Sequence, residues 1–190
     1  SRLPTAGNRE KPAHKVTLDG FYIGKTEVTQ QLFEAIMGRN YSYFPCPNCP
    51  VNNLSWFNML LFIERLNEAT NKSFRLPTEA EWAYAAKGGH PVATKKPNEL
   101  GLYDMTGNLW EFCQDTMDRL IYTEQARINP LHSPHKNPKK RAMKVLRGSG
   151  YEFAANESEV FRRDGATNNV RMADIGFRLA ITKNSAELHR

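Results

Sequence analysis

The sequence predicts an α+β fold, and three observations carry that prediction. Three stretches of the first half show apolar residues at helical spacing behind good capping residues. A run near the start alternates apolar and polar residues. The second half breaks into short apolar runs separated by turns and long loops. With 190 residues, 40% of them hydrophobic, the chain can bury one substantial core, and it reads as a single domain over 1–190.

The first alternating run is "HKVTLDGFYIGKTEVT" (14–29), with Val16, Leu18, Phe21 and Ile23 as its apolar set. It predicts one or two strands around Asp19-Gly20. Thr29 then caps a short helix "QQLFEAIMG", with Leu32, Phe33 and Ile36 on one face and Gly38 at its end. Ser55 is the expected N-cap of "WFNMLLFIERLNEAT", whose Trp56, Met59, Leu60, Ile63 and Leu66 recur at helical spacing. Thr78 and Glu81 form a capping box ahead of Trp82, Ala85 and Ala86. Glu79 and Glu81 fall in that helix's first turn, where acids meet the positive end of the helix dipole. From residue 101 onward the expectation is short strands, turns and loops. No internal repeat or low-complexity tract interrupts the chain.

The net charge is +6. Much of the excess lies in "HSPHKNPKKRAMKVLR" (132–147), which holds Lys136, Lys139, Lys140, Arg141, Lys144 and Arg147 and no acid. It lacks the interleaved aromatics and recognition-helix pattern of a nucleic-acid surface, so it reads as a solvated basic loop, and no nucleic-acid partner is expected. No apolar run has membrane-spanning length, so no direct membrane insertion is expected. Cys46 and Cys49 form a CxxC between prolines, and Cys113 stands alone. A zinc site needs about four ligands and finds no second pair here. A local disulfide or a pair of free thiols is the reading; oxidation would favour an extracytoplasmic setting.

The segments "GFYIGKTEVT", "PVNNLSW", "FRLPTEAEWAYAAKGG", "PNELGLYDMTGNLWEF", "VLRGSGY" and "IGFRLA" occur in this order. Together they resemble the formylglycine-generating-enzyme (sulfatase-modifying factor) domain, over about residues 12–180. The resemblance implies a C-type lectin-like fold: a small twisted antiparallel β core, two main helices and much irregular loop. One departure stands out. Family members usually carry a longer loop after "AAKGG", whereas here Gly89 runs straight into His90. The sites that family members build in that loop, including one of two calcium sites, are not expected.

Within "YDMTGNLWE" (103–111), Gly107 and Asn108 permit a tight turn between Asp104 and Glu111. Two acids in a loop usually cap turns or stay solvated. The resemblance implies more: a structural calcium held by the side chains of Asp104 and Glu111 and the carbonyls of Gly107 and Leu109, stapling a loop-rich fold. Trp110 beside them is expected to fill core.

Catalytic members of the family resembled bind copper through two cysteines upstream of "GFR". Counted back from Gly176, those positions are Ala155 and Val160. Neither supplies the soft sulfur that Cu(I) requires, so no copper and no oxidase activity are expected. The carbon–sulfur-forming branch uses non-haem iron on an HxxxH-type pattern. His14, His90, His132, His135 and His189 do not form it. GxSxG, P-loop and HExxH motifs are absent from the sequence as well.

The framework around the missing cysteines is intact, and the segment between is rich in side chains that suit recognition. Tyr151, Phe153, Ala155, Asn156, Ser158, Val160, Phe161, Asp164, Ala166, Asn168, Asn169 and Asp174 are the expected ligand-binding set, with Arg162, Arg163 and Arg171 adding forked donors. This looks like the variable proteins of diversity-generating retroelements, in which adenine-directed mutation rewrites Asn-type codons ahead of a fixed "GFR"-like end. Ala154, Ala155, Asp164 to Asn169 and Asp174 fit such rewriting; Glu152, Glu157, Glu159 and Met172 would be fixed. The expectation is a binding protein without turnover, on the cell surface or otherwise outside the cytoplasm, anchored through lipid, with a protein or glycan ligand. The alternatives are an oxygen-dependent formylglycine-generating or related oxidase, and a degenerate accessory domain.

Overall fold

A computed structural model of the protein describes residues 15–86, 97–105, 107–117, 128–133, 141–150 and 162–183. The elements run β1 (Phe21–Ile23), α1 (Gln30–Met37), α2 (Trp56–Thr70), α3 (Glu79–Ala86), β2 (Trp110–Thr116), β3 (Met143–Arg147), β4 (Arg163–Thr167), β5 (Ile175–Gly176) and β6 (Ala180–Thr182). The α+β class stands. One detail differs from what the resemblance implies: the larger sheet is mixed and not purely antiparallel.

That sheet has the order β4-β3-β2-β5. β3 pairs antiparallel with both β2 and β4, but β5 lies parallel to β2, with Trp110 opposite Ile175 and Glu111 opposite Gly176. β1 and β6 form a separate antiparallel ribbon, joining the start of the domain to its end. Asp19-Gly20 therefore does not close a hairpin: β1 finds its partner at Ala180–Thr182, and Thr17 forms only an isolated bridge to Ile128.

The local signals hold where they satisfy backbone groups. Thr29 Oγ1 accepts from the Leu32 amide, and Gly38 ends α1 at φ 74°, in the left-handed region glycine tolerates. Ser55 and Asn58 cap α2 reciprocally. The Thr78–Glu81 box closes as expected, with Thr78 N donating to Glu81 Oε2 at 2.8 Å and Glu81 N to Thr78 Oγ1 at 3.2 Å. The buried face of α1 is Gln30, Phe33 and Met37, while Leu32 is exposed and Ile36 partly buried. In α2 Phe62 is fully buried and Leu60 only partly, because Phe62 stacks on Phe33 at 5.1 Å and meets Phe177 edge-on at 5.6 Å.

The sheet separates two apolar groups. Phe112 and Leu146 are partners in register and join the group containing α1 and α2. Cys113 and Val145, one residue along each strand, join α3 with Trp82, Ala85, Leu102 and Met105. Strand alternation turns successive side chains to opposite faces, so β2 and β3 serve both groups at once. Trp110 is core, as expected, and its amide donates to the Asp174 carbonyl at 2.7 Å.

Candidate functional site

On the α3 side of the sheet the core is ionic. Arg178 is fully buried. Its Nε and Nη2 each lie 2.6 Å from an oxygen of Glu111, which also accepts from Trp82 Nε1 at 2.9 Å. Arg178 also donates to the carbonyls of Gly24 and Tyr103, at 3.0 and 3.1 Å. Glu27 stands 4.0 Å away and accepts from Asn108 Nδ2 at 3.0 Å. Burial works against the charge on Arg178, but Glu111 outweighs it and holds the guanidinium firmly protonated. The fork of the guanidinium matches the carboxylate in two parallel bonds, a geometry a lysine cannot reproduce.

This arrangement bears on the calcium expected from the resemblance. The turn is there: Asp104, Gly107 and Asn108 adopt φ of 54°, 88° and 65°. At that turn both oxygens of Glu111 are engaged by Arg178 and Trp82, and Asp104 is exposed. Among the described residues, no three His, Cys, Asp or Glu side chains gather to hold a metal ion. As it stands Glu111 is the counter-ion of Arg178, so a calcium at Asp104, Gly107, Leu109 and Glu111 would require Glu111 to release Arg178. Adding EDTA, or millimolar calcium chloride, should leave the melting temperature unchanged. A calcium-dependent rise of several degrees in a thermal melt would restore the calcium reading.

Two acids share the one arginine, and Glu27 bears the consequence. Burial, and next the charge of Glu111, raise its carboxyl from 4.5 to about 8. The folded state therefore holds a proton on Glu27 that the unfolded state releases. The sign follows: this contribution to stability is fully present below pH 4.5 and is lost as pH rises towards 8. Glu27→Gln keeps an acceptor for Asn108 and removes the charge. It should raise stability at pH 8 by about 2 kcal/mol, at ~1.4 kcal/mol per unit of raised pKa and allowing for relaxation, and flatten the profile of melting temperature against pH.

A second ionic cluster ties the expected ligand-binding segment to α3. Arg163 Nε and Nη2 meet the two oxygens of Glu79 at 2.6 and 2.9 Å, and Arg147 Nε lies 3.9 Å from the same carboxylate. The Glu79 amide, at the start of α3, donates to Asp115 Oδ2 at 2.7 Å, and His132 N to Asp115 Oδ1 at 2.9 Å. Burial raises Asp115 from 3.8 to about 6 against the pull of these two amides. Glu79 and Glu81 are thus more than acids at a helix start: Glu79 is the counter-ion of Arg163, and Glu81 binds Arg75 through both oxygens, at 2.6 and 2.7 Å.

These contacts sort the sequence-expected site residues. Tyr151, Phe153, Ala155, Asn156, Ser158, Val160 and Phe161 lie outside the described residues, and with them both positions matched to catalytic cysteines. Asp164 and Asn169 are exposed and Asp174 is half-buried. Ala166 and Asn168 are not available to a ligand. Ala166 packs in the core opposite Lys144, and Asn168, 1% exposed, exchanges hydrogen bonds with Ala142 across the end of β4. Arg163 is likewise internal, whereas Arg171 is exposed. Both faces of β4 are covered: Arg163 turns to Glu79 of α3, and Ala166, three places on and so on the opposite face, packs in the α1–α2 group, which leaves Asp164 as the exposed position near the strand's start.

The basic stretch is corrected in the same way. Lys144 and Arg147 are buried in β3. Lys144 Nζ bonds the Gln114 carbonyl at 2.9 Å and lies 4.2 Å over the Trp56 ring, and burial lowers its pKa. Cys46 and Cys49 form a disulfide, and Cys113 is buried with its thiol pushed up by burial, an inert state for a cysteine. Among the described residues no helix is long and apolar enough to cross a membrane.

The family model described as "Sulfatase-modifying factor enzyme 1-like domain" matches residues 2–90 and 90–183, two pieces meeting at the position where the sequence departs from the family's usual loop. The formylglycine-generating enzyme of Streptomyces coelicolor is 29% identical over 185 residues, covering 75% of this chain and 54% of that protein. The chain thus spans about half the length of that relative. The chaperone protein LppX of Paenibacillus barcinonensis is 25% identical, covering 76% of this chain and 74% of its own. Among solved structures, variable protein 1 of Treponema denticola superposes with a TM-score of 0.71 at 28% identity, covering 88% of this chain and 86% of that one. PvdO from Pseudomonas aeruginosa reaches a TM-score of 0.80 at 20% identity, over 93% of this chain and 86% of its own, a likeness of fold. The lectin-like fold expected from the sequence is therefore the fold observed, and the chain belongs to the sulfatase-modifying factor family of formylglycine-generating-enzyme-type domains.

Proposed function

We propose that this protein binds a ligand without turning it over, displaying residues 151–174 on a lectin-like frame. The observation that carries the reading is a paired one. The frame is shared, at 28% identity, with a protein named for its variability, and the positions matched to catalytic cysteines hold Ala155 and Val160. Function that rides on a segment held by a stable frame needs a firm foundation beneath it. Arg163, Ala166 and Asn168 supply that foundation, while Asp164 and Asn169 face solvent. Tyr151, Phe153, Asn156 and Phe161 have the composition of interface anchors.

The ligand in this reading is a protein or a glycan, not a nucleic acid, and copper plays no part. The disulfide favours a place outside the cytoplasm or on the cell surface, and in this reading the protein is anchored there through lipid. The segment is diversified by an adenine-directed retroelement. Sequencing the DNA flanking the gene tests this. A near-copy of the 3′ coding region, differing mainly at adenines and accompanied by a reverse transcriptase, is the expected finding. Purified protein that retains stoichiometric copper and consumes oxygen with a thiol substrate would overturn the reading in favour of an oxidase. Absence of both the copy and the copper would leave a degenerate accessory domain.

A further inference from the structure

Two arginines from distant parts of the chain converge on one tyrosine. The guanidinium of Arg39, just past α1, lies 4.7 Å from the centre of the Tyr41 ring, and that of Arg171 lies 4.9 Å from it. Both arginines are exposed, and neither forms an ion pair among the described residues. A carboxylate brought to either guanidinium would form a charge-assisted pair that neither has among the described residues.

The surroundings add apolar surface. Tyr43 and Phe44 follow Tyr41 after Ser42 and are 63% and 82% exposed; Met172 beside Arg171 is 42% exposed. These aromatics do not sit on a loose loop. The Cys46–Cys49 disulfide closes the chain just after them. The carbonyls of Pro47 and Cys49 accept the amides of Gln31 and Gln30 at the start of α1, and Gln30 Oε1 accepts from the Cys46 amide and from Asn40 Nδ2. On the other side Asn53 N donates to the Met172 carbonyl, and Asn53 Nδ2 to the Tyr41 carbonyl. The loop 39–53 is thereby fixed both to α1 and to the chain that carries Arg171. Exposed Tyr, Phe and Arg held on a preorganised loop are the composition of an interface centre, because little conformational entropy remains to be lost on docking.

We propose that Arg39, Tyr41 and Arg171, with Tyr43, Phe44 and Met172, form a docking surface for an acidic protein segment that carries aromatic side chains. The guanidiniums take its carboxylates and the exposed rings take its apolar groups. A chain of net charge +6 steers such a partner favourably. The inference rests on the binding reading above, since Arg171 belongs to the segment 151–174, and it names the chemistry of the partner.

The test measures binding of full-length protein to fluorescently labelled poly(Glu,Tyr) and to poly-Glu by anisotropy. Poly(Glu,Tyr) should bind more tightly than poly-Glu. Arg39→Ala with Arg171→Ala should weaken it about tenfold, the loss of ~1.4 kcal/mol. Lys72→Ala with Lys183→Ala, which removes the same charge elsewhere on the surface, should leave binding within about twofold. Tyr43→Ser with Phe44→Ser should abolish the preference for poly(Glu,Tyr) over poly-Glu. Equal losses in both double-charge variants would overturn the proposal, since binding would then follow net charge alone. So would tighter binding of poly(U) than of either polypeptide. The binding reading stands apart from these outcomes: it falls only with the genetic and copper tests above, which none of these variants touches.

Discussion

Arg178→Met should lower the melting temperature by about 10 °C. The substitution preserves volume and leaves Glu111 and Glu27 buried with no cation between them. Removing one partner of a buried ion pair costs about 3–5 kcal/mol, and each kcal/mol moves the melting point of a domain this size by about 2–4 °C. It also strands two backbone carbonyls, those of Gly24 and Tyr103, that Arg178 satisfies. Arg178→Lys should recover little, because an ammonium cannot make the two parallel bonds to Glu111. The measurement is a thermal melt of the three proteins at pH 7, and the loss should grow at pH 8: without Arg178 the Glu27 carboxyl is pushed up further, so the folded variant keeps a proton that the unfolded chain releases. A melting point within two or three degrees of the parent would show that Glu111 finds another partner.

Arg163→Met should cost about 3 kcal/mol in urea unfolding, for the same reason applied to Glu79. The value sits at the lower end because Arg147 remains 3.9 Å from that carboxylate. Its neighbour gives the contrast: Asp164→Ala, at an exposed position of β4, should change stability by no more than about 0.5 kcal/mol. The pair matters for function. Both residues fall inside the segment expected to bind ligand, and of the two only Asp164 is exposed. A binding defect in an Arg163 variant would report a lost foundation, whereas a defect in Asp164 or Asn169 variants would report a lost contact. Unfolding curves that show equal costs for Arg163→Met and Asp164→Ala would refute this division of the strand.

The helices were legible in the sequence because their signals are local. Thr29, Ser55, Thr78 and Gly38 satisfy backbone groups within four residues of themselves, so no other part of the chain has to be known. The core positions of α2 and α3 were nearly as legible, since one face of a helix repeats along it. The error over Leu60 and Phe62 came from contacts with Phe33 and Phe177, which periodicity does not see. The family was legible because its motifs are dense and ordered.

Charge was the quantity that only the tertiary structure decided. Lys144, Arg147, Arg163 and Glu79 look in sequence like solvent-facing residues, and all four are buried. Their partners lie as far as 84 positions away, and the pairs form where β2, β3 and β4 meet α3. The motif "YDMTGNLWE" determined the left-handed turn at Gly107 and Asn108, because those residues tolerate positive φ wherever they occur. It did not determine what Glu111 binds. That depends on Arg178, brought in from 67 residues away by β5 lying parallel to β2. A sequence fixes what each residue can tolerate locally, whereas an ion pair depends on which charges the fold carries out of water together.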